Sequence, residues 1–299
     1  MQNQTRFIKR GLKWFSLLLF LLPGVSAWAD PLCEIPFKSR GGLIWIQVNS
    51  PQSAKPLNFI LDSGAEASVI DLPAAQRLHL ALGKPVTIRG VNATTLGYWP
   101  EHLSARLGGV SLPTNYVAMD LSVLSAACQH GVDGLLGADF FAGRVVQIDF
   151  AKHKIRLLED YQPGSAAEVL PLQVESSRLR VPIEVEGFGK AWARLDTGCA
   201  SALHWAVSPT DFAGKYSSQE LGVGISSQLI RHHTKTVHLG QTTLKEVSTG
   251  LQTEQLLAGE AGLLGSGLLS QFSLVTIDEP AGQLVLEAPF TPKPSGSHR

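Results

Sequence analysis

Two short segments of this chain carry the residue types that acid and base chemistry needs, Asp62-Ser63-Gly64 and Asp196-Thr197-Gly198. Each ends an apolar run with the composition of a strand, Leu57-Asn-Phe-Ile-Leu-Asp62 and Ala191-Trp-Ala-Arg-Leu-Asp196. Burying two such strands side by side would bring together two carboxylates from distant parts of the chain. Two carboxylates at one site do not both ionise readily, so they share a proton and offer an acid and a base at once. A single Asp-Ser-Gly is a common turn sequence, because all three residues favour turns. Two copies in matching surroundings reverse that reading.

The matching surroundings form an internal repeat. Asp133-Gly-Leu-Leu-Gly-Ala-Asp-Phe-Phe141 follows the first motif, and Ala261-Gly-Leu-Leu-Gly-Ser-Gly-Leu-Leu269 follows the second. From Asp62 to Gly137 is 75 residues, and from Asp196 to Gly265 is 69. After each Leu-Leu-Gly comes a strand ending in Ile-Asp, at Asp149 and at Asp278, and then a turn into a closing strand, Lys154 to Leu158 or Gln283 to Glu287. Before each aspartate motif lies an alternating segment, Leu43 to Asn49 and Leu179 to Glu186, with the period of two that marks a half-buried strand. Short helices are expected at Leu72 to Leu80, at Ser122 to Ala127 and just after each Leu-Leu-Gly. Helical periodicity is otherwise weak, so the expected class is all-β with a few short helices.

The chain has 299 residues with 25 basic and 25 acidic side chains. It has no basic block beyond its N-terminal segment, and so no electrostatic footprint for nucleic acid. Arg6, Lys9, Arg10 and Lys13 precede the apolar stretch Trp14 to Leu22 and the small-residue pattern Ala27-Trp28-Ala29, which reads as a secretory signal over 1–29 cleaved after Ala29. The stretch is about half the ~20 residues of a membrane span, and Cys33 lacks the small preceding residue of a lipoprotein signal. The expected product is periplasmic or secreted, with no membrane anchor after cleavage. The remainder is about twice the commonest domain size and divides into an N-terminal lobe (30–160), a linker (161–169), a C-terminal lobe (170–288) and a flexible tail (289–299). Export permits one disulfide among Cys33, Cys128 and Cys199. Cys33 with Cys128 is the expected pair, although sequence does not fix connectivity, and Cys199 is then read as a small buried filler.

With both lobes carrying apolar-apolar-Asp-Ser/Thr-Gly and a later Leu-Leu-Gly, the chain from about Gly42 to Leu286 resembles the aspartic peptidases of the pepsin and retropepsin clan. The resemblance implies a two-lobed acid-protease fold with the active site at the lobe interface, the second motif threading beside the first. It implies that Asp62 and Asp196 hold the attacking water as general base and general acid, with a polypeptide as substrate, no cofactor and no metal. Ser63 and Thr197 would hydrogen-bond across the lobes, and Gly64, Gly198, Gly137 and Gly265 would support the turns. A flap is expected over Arg89 to Trp99, with Tyr98 or Trp99 covering substrate, and an equivalent over Gly222 to Ile230. Both aspartates are in one chain, so a monomer suffices.

The residues after the two motifs, Ala65 and Cys199, stand where pepsin-like enzymes carry a hydroxyl. Losing that hydrogen bond raises the pair's pKa, so activity is expected at mildly acidic to neutral pH. Only Asp30 to Arg40 separates the signal from the first strand, so no self-inhibiting prosegment is expected. Asp149 and Asp278 read as structural, and Asp71 and Asp139 as capping or surface residues. The cluster His232, His233 and His238 reads as a solvated strand face, not a metal site. Two other functions fit the residues: a non-catalytic relative that binds peptide in the same cleft, and a glycoside hydrolase, whose carboxylates stand ~5–9.5 Å apart.

Overall fold

The structure is a computed structural model of the chain and describes residues 31–89, 94–208, 218–222, 225–252 and 259–289. The expected signal segment, the loop 90–93 within the expected first flap and the tail beyond Pro289 lie outside the described residues. The chain is mostly strand, with helix confined to short pieces among the described residues. The helix at Leu72–Arg77 stops short of Leu80 because His79 takes a left-handed backbone (φ 56°) that a helix cannot continue through.

Two eight-stranded sheets repeat one topology. In the first, the order is Lys38–Arg40, Leu43–Val48, Leu57–Leu61, Gly134–Leu136, Val69–Asp71, Val117–Met119, Thr94–Pro100 and Leu82–Arg89. In the second it is Gln173–Glu175, Arg178–Val185, Gly189–Asp196, Gly262–Gly265, Leu203–Ala206, Thr242–Gln252, Ile225–Leu239 and Ser218–Gly222. In both, the Leu-Leu-Gly strand lies parallel to the strand that ends at the aspartate motif, in the same register.

A third, six-stranded sheet takes three strands from each half. Its centre is the antiparallel pair Val145–Asp149 and Phe272–Asp278, with Gln147 opposite Thr276 and hydrogen-bonded to it at 3.0 Å. Asp149 and Asp278 end these strands and cap the turns that follow, accepting from the Lys152 and Ala281 N–H groups. The strand Glu168–Pro171 pairs with Gln283–Pro289 and belongs to this sheet.

One apolar cluster runs through both halves, and a smaller one covers the other face of the first sheet. Leu43–Val48 is therefore buried on both faces and not on one: Ile44, Ile46 and Val48 enter the main cluster, Leu43 and Trp45 the smaller. Cys33 is in the main cluster, with its thiol 2.9 Å from the Gly108 carbonyl, while Cys128 packs against the smaller one. The expected Cys33 to Cys128 disulfide is absent because the sheet separates the two thiols. Asp71 takes the capping position before Leu72–Arg77, and Asp139 is half-buried. Asp71 is buried and accepts the Leu121 N–H, and Asp139 binds the Ser68 hydroxyl and N–H at 2.7 and 3.1 Å.

Candidate active site

The two aspartate strands meet end to end where the halves join. Each Leu-Leu-Gly strand buries the apolar approach to its aspartate, with the Asp62 N–H donating to the Leu136 carbonyl at 2.9 Å and Asp196 in register with Gly265. This close threading requires glycine. A Cβ on Gly137 would fall 2.5 Å from the Ala67 carbonyl carbon, and one on Gly265 would overlap the Ser201 carbonyl oxygen. Ser68 fixes the first of these turns, its hydroxyl accepting from the Gly137 N–H (3.0 Å) and donating to Asp139. In the second half the Ser266 hydroxyl donates to the Thr197 carbonyl at 2.7 Å.

Ser63 and Thr197 tie the halves together reciprocally. The Thr197 hydroxyl donates to the Leu61 carbonyl (2.9 Å) and accepts from the Ser63 N–H (2.9 Å). The Ser63 hydroxyl donates to the Leu195 carbonyl (2.8 Å) and accepts from the Thr197 N–H (3.0 Å). Both side chains are fully buried, so these four bonds have no competing water.

This tie sets each glycine against the opposite aspartate. A Cβ on Gly64 would overlap the Asp196 carboxyl, and a Cβ on Gly198 the Asp62 carboxyl. Asp62 Oδ1 accepts from the Gly64 and Ala65 N–H groups at 3.1 Å each, and Asp196 Oδ1 from the Gly198 N–H at 3.0 Å. Burial is the main cause that pushes both carboxyls above the ordinary range. The negative charge of Asp196 raises Asp62 further, and backbone N–H groups oppose this. For Asp196 the opposing influences include the Arg194 and His204 charges and a hydrogen bond from Asp62. The pair therefore titrates as a unit. Each carboxyl packs against the glycine of the other motif, so the two face one another where the halves join.

A family model described as aspartyl protease matches residues 46–140. The matched stretch contains Asp62-Ser63-Gly64 and Leu135-Leu136-Gly137 and ends within the turn after them. It supports an aspartic peptidase family for the chain, and the second half repeats the same topology beyond the matched residues. No curated protein matches the chain.

The expected flap residues stand on Thr94–Pro100, which pairs with Leu82–Arg89 as a hairpin. Tyr98 packs against the main apolar cluster, and the Trp99 ring is exposed on the other side of the strand. In the second half the corresponding hairpin is formed by Ser218–Gly222 and Ile225–Leu239. The side chains of His232 and His233 lie outside the described residues, and His238 pairs with the Thr243 hydroxyl.

Cys199 is half-buried with its sulfur 3.8 Å from His204 Nε2, in place of the expected buried filler. Sequence reasoning missed Arg194, Glu260, Ser68, Ser266 and His204. Arg194 was open to detection: it interrupts an apolar run two residues before the aspartate, and alternation puts it on the aspartate's face.

Proposed function

We propose that this chain is an exported aspartic endopeptidase, acting as a monomer on a polypeptide in limited processing of an exported or envelope protein. The observation that carries the reading is the placement of Asp62 and Asp196 against each other's glycine, locked by the Ser63 and Thr197 bonds. In the reaction, Asp196 takes a proton from a water held between the carboxyls while Asp62 gives its proton to the oxygen of the scissile carbonyl. The tetrahedral intermediate then collapses as the leaving nitrogen receives a proton from Asp196 and a hydroxyl of the intermediate returns a proton to Asp62. Asp196 ends ionised and Asp62 protonated, as at the start. The substrate binds extended, by β-type main-chain pairing along the cleft. Raised carboxyls and the absence of a side-chain hydroxyl at Ala65 support work at mildly acidic to neutral pH.

The test is proteolysis of a mixed peptide library from pH 3 to 8 by the wild type and by Asp62→Asn and Asp196→Asn. Cleavage by the wild type and its loss in both variants is the expected result. A folded wild type that cuts nothing across that range would favour a peptide-binding relative, and cleavage retained in either variant would remove the pair from the mechanism.

A further inference from the structure

The two halves share a topology but not the chemistry on the face that carries the aspartates. Ile60 lies opposite Leu135 in the first half, and Arg194 opposite Leu263 in the second. Both stand two residues before their aspartate, on its face of the strand. Val132 and Glu260 are equivalent in the same way, each five residues before the glycine of its Leu-Leu-Gly. Trp45 is in register with Ile60 as Arg180 is with Arg194, and Leu43 and Arg178 stand two residues before these. In the first half all four residues belong to one buried apolar cluster. In the second they are three arginines and a glutamate.

The charges at the centre of the second set are buried. Arg194 Nη2 lies 2.6 Å from Glu260 Oε2, and Arg194 Nε lies 3.1 Å from both oxygens of that carboxylate, which has no exposed surface. The remaining nitrogen, Nη1, donates to the Gly64 carbonyl at 3.1 Å. Gly64 is the residue packed against the Asp196 carboxyl. Arg194 thus reaches the other half at the point where the two aspartates meet. Its charged neighbours are Arg178, 3.8 Å from Glu260 and 3.7 Å from Glu66; Arg180, paired with Glu175; and His204, opposite Leu263. A buried ion pair is weak as a source of stability, and an apolar pair serves for packing at the equivalent place in the first half. What the substitution adds is a fixed positive charge two residues before Asp196, where the equivalent place before Asp62 is apolar.

We propose that Arg194, held by Glu260, is a positioning residue that makes the pair unequal, keeping Asp196 as the carboxylate that activates water and leaving Asp62 as the proton donor. This rests on the peptidase reading above. Arg194 is also the strongest influence that lowers Asp196 against the effect of burial, whereas the groups that lower Asp62 are backbone N–H donors.

The decisive variant is Arg194→Ile with Glu260→Val, which copies the first half's apolar pair and removes both charges together. Arg194→Met alone strands a buried carboxylate and tests folding more than role. Carboxyl carbon NMR titration of Asp196 in an Asp62→Asn background, and of Asp62 in an Asp196→Asn background, is measured on the full chain with and without the double change. The acidic limb of the kcat/KM profile is measured in parallel in the chain with both aspartates. The expected result is an upward move of Asp196 and of the acidic limb by about 1 pH unit or more, with Asp62 moving less. Arg194→Lys, which keeps the charge, should restore most of the wild-type profile. A folded double variant in which Asp196 titrates as before, or in which Asp62 moves as far as Asp196, overturns the proposal. A wild type without peptidase activity overturns the peptidase reading instead, and the NMR titration still decides whether Arg194 sets the inequality.

Discussion

Replacing Thr197 by valine changes the molecule at its most constrained point. The shape is kept, while the hydroxyl that serves the Leu61 carbonyl and the Ser63 N–H is lost. Neither group can turn to water, since Leu61, Ser63 and Thr197 are all buried. An orphaned buried donor or acceptor costs about 1–3 kcal/mol, so two together cost about 2–6 kcal/mol. Some relaxation along the interface places the expected loss near ~3 kcal/mol. Thr197→Ser keeps the oxygen and loses one buried methyl, for a loss of about 1 kcal/mol. Urea unfolding of the two variants beside the wild type measures both values. The same displacement moves the carboxyls, and about 1 Å of misplacement can cost about 100-fold in rate, so Thr197→Val should lower kcat well below the Thr197→Ser value. Because the four bonds form one network, Ser63→Ala combined with Thr197→Val should lose less than the sum of the single changes. A valine variant as stable as the serine variant would refute the idea that these bonds hold the halves in register.

Gly198→Ala should fold and lose kcat by about 100-fold or more, because its Cβ would occupy the space of the Asp62 carboxyl; wild-type turnover would contradict the geometry. The dyad also sets a pH dependence of stability. Burial raises both carboxyls, so their contribution is fully present below the ordinary carboxylate pKa and is lost as pH rises through the folded values. Asp62→Asn should therefore raise the melting temperature near neutral pH, with a gain that fades below about pH 4. The linkage is about 1.4 kcal/mol for each pH unit by which the group is raised. An equal effect at all pH values would show that the carboxyl is not raised. Ser68→Ala should destabilise by about 2–4 kcal/mol, since it leaves the Gly137 N–H without an acceptor and takes a hydroxyl from the half-buried Asp139; thermal unfolding with no change would count against that cradle. Thiol titration in denaturant without reductant should find three reactive cysteines per chain, and a count of one would restore a disulfide.

The sequence by itself determined the class and the repeat and singled out Asp62 and Asp196 as the candidate pair, because these depend on local pattern. Alternating runs before Asp62 and Asp196, glycines just after them and Leu-Leu-Gly at a matched distance are all readable within short windows. It also pointed to Ser63 and Thr197 as the cross-lobe residues, through the resemblance those motifs carry. What required the folded chain are the facts that depend on which face a residue meets and what stands opposite it. Cys33 and Cys128 read as partners until the sheet put them on opposite sides. Asp139 read as a capping or surface residue until Ser68 came to it from 71 positions earlier in the chain. Arg194 was one polar residue in an apolar run until tertiary packing supplied Glu260 at 66 residues' distance and the Gly64 carbonyl at 130. A buried charge is tolerable only with its counter-charge in place, and that counter-charge comes from a remote segment that no local pattern names.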